Sequence, residues 1–127
     1  MAGLAGIHEM LGGLVVIAFV VVALLAAIAA AGRDMRWVRT SSFVAAGLLA
    51  VQYLLGLLLL GNGFRNSTTH YVIGLLVLVP VALQHTSGRR LSERVHGVAL
   101  MIWSLAAAFI AVIAYLTGMW GVAGAAP

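Results

Sequence analysis

The amino-acid sequence predicts an all-α membrane protein, folded as an up-down-up-down bundle of four transmembrane helices. Of the 127 residues, 64% are hydrophobic and 8% are charged, whereas soluble domains are roughly half apolar and about one quarter charged. The apolar residues also fall in four long stretches with short polar connections between them. A membrane-spanning helix needs about 20 such residues, so we expect a single four-helix domain over residues 1–127.

The predicted spans cover about residues 8–31, 42–60, 69–86 and 94–117. The first span lacks the basic start and the cleavage site of a signal peptide, so it is expected to be retained. The second ends at the Gly-Asn-Gly sequence of residues 61–63, a typical helix stop. Pro80 lies inside the third span and is expected to bend it without ending it, because neighbouring helices can satisfy the carbonyl that proline frees.

The distribution of arginine predicts the orientation in the membrane. All seven basic residues are Arg, and six of them lie in the first and third connections, while Arg65 lies in the second. Cytoplasmic loops of membrane proteins carry the excess of Lys and Arg. We therefore expect a multi-pass protein of the cell (plasma) membrane with both termini outside. The net charge of +4 is explained by this bias and implies no nucleic-acid partner.

The four histidines lie at the predicted borders of the membrane. An ionisable side chain at such a position indicates a functional site by default. His8 and His70 begin the first and third spans on the outer side, and His85 and His96 lie on the inner side. Neighbouring helix axes are about 8–10 Å apart, so the diagonal between the first and third helices is on the order of 11–14 Å. This diagonal has room for imidazole, iron and imidazole in line, and it favours His8 and His70 as the axial ligands of a bis-His haem.

Three more residues complete the predicted outer site. Gly12 and Gly74 follow the two histidines by four residues, so each lies about one helical turn below its histidine on the same face. A flat macrocycle needs this clearance. Arg65, in the outer loop, is a candidate to bind haem propionates through charge-assisted hydrogen bonds. A solvated arginine and interfacial histidines bonded to loop carbonyls are the alternative interpretation.

The inner histidines, His85 and His96, form a candidate second haem site. The fifteen residues from His70 to His85 correspond to about 22 Å of helical rise, a tolerable distance between two haems. Both inner histidines flank an arginine-rich connection, and an interfacial role without a ligand is the alternative for them.

Short motifs around these residues resemble one half of haem A synthase. They are His8 with LGG after it, the QYLLG element of residues 52–56, and His70 within TTHYVIGLLVL. That membrane enzyme has two similar four-helix halves, each with a histidine in its first and third helices and a haem-type site on the outer side. The resemblance covers nearly the whole chain, and it implies haem ligation at His8 and His70.

The sequence departs from that family at two points. The first histidine of each half typically stands in an E-x-x-H-R setting, whereas here Ala5 precedes His8 by three residues and Glu9 follows it. The cysteine pair of many members is absent, because the chain has no cysteine. What carries over is therefore haem ligation rather than the conversion of haem O to haem A.

These observations predict a haem-binding, b-type cytochrome-like membrane protein that transfers electrons, within a larger membrane complex and with no catalytic residue of its own. Its partners are expected to be haem, membrane lipid and either other membrane subunits or further copies of the chain. A half-size haem A synthase-like enzyme acting as an oligomer is the first alternative. A structural membrane subunit without a cofactor is the second.

Overall fold

The structure is a computed structural model that describes residues 2–86 and 92–123. Every regular element in these residues is an α-helix, and the helices are α1 (Ala2–Ala30), α2 (Arg36–Gly61), α3 (Thr68–Leu76), α4 (Leu78–Thr86) and α5 (Glu93–Ala123). The described residues contain four helical stretches that are long and apolar enough to cross a membrane, with α3 and α4 together forming one of them. The chain therefore has the helices of a multi-pass membrane protein.

The core lies mainly between α1 and α5, which make the most extensive contact in the structure. The buried face of α1 alternates steps of four and three residues through Val15, Phe19, Val22, Ala26 and Ala29. The buried face of α5 repeats this alternation through Leu100, Ser104, Ala107, Ala111 and Ala114. Such steps keep one apolar seam facing the partner helix, as in coiled coils.

Gly97 lies where α5 comes closest to the end of α1. A Cβ atom on Gly97 would lie 2.9 Å from the backbone nitrogen of Ala30 and 3.0 Å from its Cα. Because small residues let helix backbones approach and gain van der Waals contact, they are common where membrane helices pack. Small residues at Gly97 and Ala30 therefore let α1 and α5 approach closely at this end, while Phe19 and Val22 fill the seam further along α1.

The two ends of α2 are set by local hydrogen bonds. Asp34 accepts a hydrogen bond from the backbone N–H of Arg36 at 2.8 Å, two residues on, as aspartate does in turns. The helix begins at Arg36, several residues before the apolar stretch predicted from about residue 42. At the other end, the N–H of Phe64 donates to the carbonyl of Leu59, and the N–H of Gly63 donates to Leu60. This is a Schellman motif, and Gly63 has the positive φ of 85° that it requires.

The third membrane stretch is divided at Val77 into α3 and α4. Pro80 has no N–H to offer to the preceding turn, and the backbone at Val77 keeps right-handed helical angles of φ −59° and ψ −28°. The interruption is therefore local. Hydrogen bonds connect both halves to α2: Tyr53 donates to the carbonyl of Gly74, and Gln84 donates to the hydroxyl of Ser42 at 2.7 Å.

Candidate functional site

The side chains of His8 and His70 meet inside the bundle, at the end where α1 and α3 begin. Their ring centroids are 6.3 Å apart, and the ring planes are inclined by 75°. Both histidines are half-buried. The structure thus brings together the two histidines that the sequence predicts as a pair.

The orientation of His70 is determined by contacts from two directions. Ser67 caps α3, and its hydroxyl accepts the backbone N–H of His70 at 3.2 Å. Nδ1 of the ring lies 2.9 Å from the carbonyl oxygen of Ala114 on α5. A carbonyl only accepts hydrogen bonds, so Nδ1 carries the proton and Nε2 keeps its lone pair. Histidines that bind metals are usually held in this way through their second nitrogen.

Gly118 allows the His70 ring to lie against α5. A Cβ atom at residue 118 would lie 2.9 Å from Cε1 and 3.0 Å from Nδ1 of His70. These distances are shorter than carbon atoms tolerate, so any larger residue at this position must displace the ring. The His70 ring therefore packs directly against the backbone of α5 at Gly118.

His8 is held in a similar way against α2. A Cβ atom on Gly56 would lie 3.2 Å from Cε1 of His8, which means that the edge of the ring faces this glycine closely. One helical turn earlier on the same helix, Nε2 of Gln52 lies 3.4 Å from Nε2 of His8. The ring of His8 therefore contacts α2 through one glycine and one amide.

The same spacing recurs in all four membrane stretches at this end of the bundle. Each one carries a residue of the site and a glycine four residues later, and the pairs are His8 and Gly12, Gln52 and Gly56, His70 and Gly74, Ala114 and Gly118. All eight positions continue the steps of four and three residues that place side chains in the core. The candidate site therefore lies on the same seams that form the core, at the end of the bundle where α1 begins.

The glycines have different surroundings. The space beside Gly12 is taken by two side chains, because a Cβ atom there would lie 3.0 Å from Nε2 of Gln52 and 3.3 Å from Cδ2 of Tyr115. The same atom on Gly74 would meet no heavy atom within 4 Å in the part of the chain that the structure describes. Beside Gly74 the described residues therefore leave open space, whereas beside Gly12 the space is filled by Gln52 and Tyr115.

Two histidines could supply only two ligands to a metal, so the metal would need its other ligands from a cofactor. Within residues 2–86 and 92–123, no group of three or more His, Asp or Glu side chains converges to hold a metal ion. A haem iron needs only axial ligands from the protein, and two imidazoles that meet across the bundle are a suitable pair. The proton on Nδ1 of His70 and the packing of that ring against Gly118 agree with a role of His70 as an axial ligand.

The other predicted site residues lie outside this contact. Arg65 is exposed in the loop before α3. Its neighbour Asn66 donates from Nδ2 to the carbonyl of Gly118 at 3.1 Å, so the loop is attached to the end of α5. Because Arg65 is next to this attachment, its side chain starts close to the His70 end of the site.

The inner histidines are not brought together as the outer ones are. His85 stacks on Phe43 of α2, with ring centroids 5.1 Å apart and planes inclined by 29°. His96 is half-buried in the first turn of α5. Among the described residues, no ring contact joins His85 to His96. A second haem site at these two residues stays a prediction.

Sequence reasoning assigned no role in the site to Gly118 and named Gln52 only as part of the QYLLG motif. The available signal for both was the spacing. Gly118 follows Ala114 by four residues, and Gln52 precedes Gly56 by four, just as His8 precedes Gly12. An alternation of four and three steps extended along each span would have indicated these positions.

No protein-family model matches the chain, and no curated protein or solved structure is significantly similar to it. The resemblance to haem A synthase therefore stays a prediction, and the case for a function depends on the geometry of the site.

Proposed function

We propose that this protein is a haem-binding, b-type cytochrome-like membrane protein in which His8 and His70 are the axial ligands. The observation that carries the proposal is the 6.3 Å separation between the centroids of the two rings. Two imidazoles on opposite sides of one metal have ring centres about 6 Å apart, given metal–nitrogen bonds of about 2.0–2.1 Å and ring centres about 1.1 Å beyond each nitrogen. The separation of the two ring centres is therefore that of two imidazoles on one metal.

Direct edge-to-face contact between two rings is the competing explanation of this distance, since such contacts cover about 4.5–7 Å. The hydrogen bonds and the glycines favour the haem. Nδ1 of His70 donates to Ala114, which leaves Nε2 available as a ligand, and one turn along α3 a Cβ atom on Gly74 would meet no heavy atom of the described residues within 4 Å. A histidine bonded to a carbonyl also fits a purely structural pair, so the visible spectrum described below decides between the two.

When bound, a haem supplies a one-electron carrier whose two axial positions would both be filled by protein imidazoles. Oxygen activation needs an open position or a labile ligand on the iron. Two fixed histidines therefore favour electron transfer. Arg65 lies in the loop at this end, and we propose that its guanidinium binds the propionates where electrons enter or leave.

We propose an up-down-up-down arrangement in the plasma membrane, with both termini and the His8–His70 pair on the outer side. The extensive contact of α1 with α5, the contact of α1 with α2 and the contacts of α3 and α4 with α5 agree with this order. The orientation follows from the six arginines of the first and third connections and the positive-inside rule. Many large apolar side chains remain exposed, and lipid together with other subunits or further copies would cover them.

Single cysteines test this orientation, because the natural chain has none. A cysteine in place of Ser67, in the loop before α3, should react with a membrane-impermeant maleimide from the outside of intact cells. A cysteine in place of Ser92, which is exposed before α5, should react only after the membrane is opened. Ser87, in the same connection, lies outside the described residues and should behave like Ser92. The reverse labelling pattern would contradict the orientation.

A visible spectrum of the purified protein tests the function itself. We expect a reduced-minus-oxidised spectrum of low-spin b-type haem, with one haem per chain by extraction. Expression in a host that makes haem O but lacks its own haem A synthase separates the two haem functions, and no haem A should appear there. Haem A in the extract would contradict the electron-transfer function and would favour the half-size haem A synthase-like enzyme acting as an oligomer. A protein without haem would instead be the structural subunit.

A further inference from the structure

Gln52 contacts His8 at the nitrogen that a metal would use. Nε2 of the Gln52 amide lies 3.4 Å from Nε2 of the His8 ring, and it also occupies the space beside Gly12. The side chain of Gln52 is half-buried. It is the polar side chain of α2 that reaches the ligand pair.

This contact selects one tautomer of His8. The amide nitrogen of glutamine is a donor, so Nε2 of His8 accepts and the ring proton lies on Nδ1. The carbonyl of Ala114 imposes the same tautomer on His70. Both imidazoles therefore carry the lone pair on Nε2, which is the state needed for ligation through that nitrogen.

Two polar atoms of the side chains in this contact lack a hydrogen-bond partner. Within residues 2–86 and 92–123, Nδ1 of His8 and Oε1 of Gln52 are buried and have no hydrogen-bond partner. A buried polar atom without a partner is costly and calls for a specific explanation. Here the two atoms are complementary, since Nδ1 carries a proton and Oε1 accepts one.

We propose that Gln52 is a positioning residue that exchanges between two hydrogen bonds with His8. Without a ligand, its amide N–H occupies Nε2 and holds the ring in the ligating tautomer. When Nε2 is ligated, the amide leaves that nitrogen, and Oε1 accepts the proton of Nδ1. The exchange satisfies both buried atoms, and it clears the space beside Gly12. This second state rests on the proposed haem function, whereas the first does not.

The first state is tested on haem-free protein in detergent by nitrogen-15 NMR of labelled histidine, with His8→Ala used to assign the signal. We expect the His8 ring to be protonated on Nδ1 in the natural protein, and to shift toward protonation on Nε2 in Gln52→Leu. Gln84→Leu, which removes the other buried glutamine, should leave the His8 signal unchanged. An Nε2-protonated His8 in the natural protein, or no change in Gln52→Leu, would overturn the proposal.

The second state is tested by the midpoint potential of the haem-loaded protein. An acceptor on Nδ1 makes the ligand more basic and thereby favours the oxidised iron. Gln52→Leu removes the acceptor and should raise the potential, whereas Gln52→Glu strengthens it and should lower the potential. Gln84→Leu should leave it unchanged. Equal potentials in all variants, or shifts of one sign, would refute the exchange. If the natural protein takes up no haem at all, the proposed function and the exchange both fail, while NMR still decides the haem-free state.

Discussion

Replacing either His8 or His70 by alanine is expected to abolish the low-spin haem spectrum. Each replacement removes one of the two axial ligands, so the iron becomes five-coordinate or the haem is lost on purification. Haem affinity should fall by at least about tenfold, in line with the effect of losing even an outer partner of a metal ligand. The measurement is the reduced-minus-oxidised spectrum, with the ratio of haem to protein determined on the same sample.

Added imidazole provides the matched control for this result. A small ligand that enters the space left by alanine should restore the low-spin spectrum of His8→Ala or His70→Ala, which a merely misfolded variant would not allow. His85→Ala and His96→Ala should keep the full spectrum. Loss of half the haem in the inner variants would favour two haems, and an unchanged spectrum in His8→Ala would exclude this histidine as a ligand.

Hydropathy predicts the four membrane-crossing helices, but it cannot predict which face of each one is buried. The interior of a membrane bundle is no more apolar than its lipid-facing surface. Ala26 is fully buried while Leu24, two residues earlier and more hydrophobic, is 61% exposed. What distinguishes them is size and spacing, because small residues at steps of four and three let α1 pack closely on α5.

The pairing of His8 with His70 could be predicted because it depends on depth and helix order, which apolar length and arginine distribution indicate. The contacts that each ring makes with the other helices could not be predicted. They depend on the rotation of α2 and α5, which brings Gly56 against His8 and Gly118 against His70. A one-residue change in rotation turns a helix by about 100°. The spacing of four and three residues indicates the buried face of each helix, but it does not indicate which ring that face contacts.

The division of the third membrane stretch was predictable in kind but not in position. Proline at residue 80 indicates a disturbed turn, since it removes an N–H and crowds the preceding turn. The interruption falls at Val77, between the turn that carries His70 and the turns that carry the inner histidine, His85. The outer and inner ends of this stretch therefore belong to separate helical segments.

Gly118→Ala tests whether α5 holds His70 in its ligating orientation. The new Cβ atom would lie 2.9 Å from Cε1 of the ring, so the ring must move by several tenths of an ångström, and its 2.9 Å hydrogen bond to Ala114 is weakened. We expect haem affinity to fall roughly tenfold, the lower end of what outer-partner mutations of metal ligands cost. The measurement is haem titration of haem-free protein in detergent.

Gly47→Ala is the control, because a Cβ atom there meets no heavy atom within 4 Å among the described residues. Alanine also favours helix over glycine by about 0.5–1 kcal/mol, so neither variant should lose helix content. A selective loss of haem binding in Gly118→Ala would then reflect the displaced ring of His70. If both variants bind haem as the natural protein does, the contact between His70 and α5 does not govern ligation.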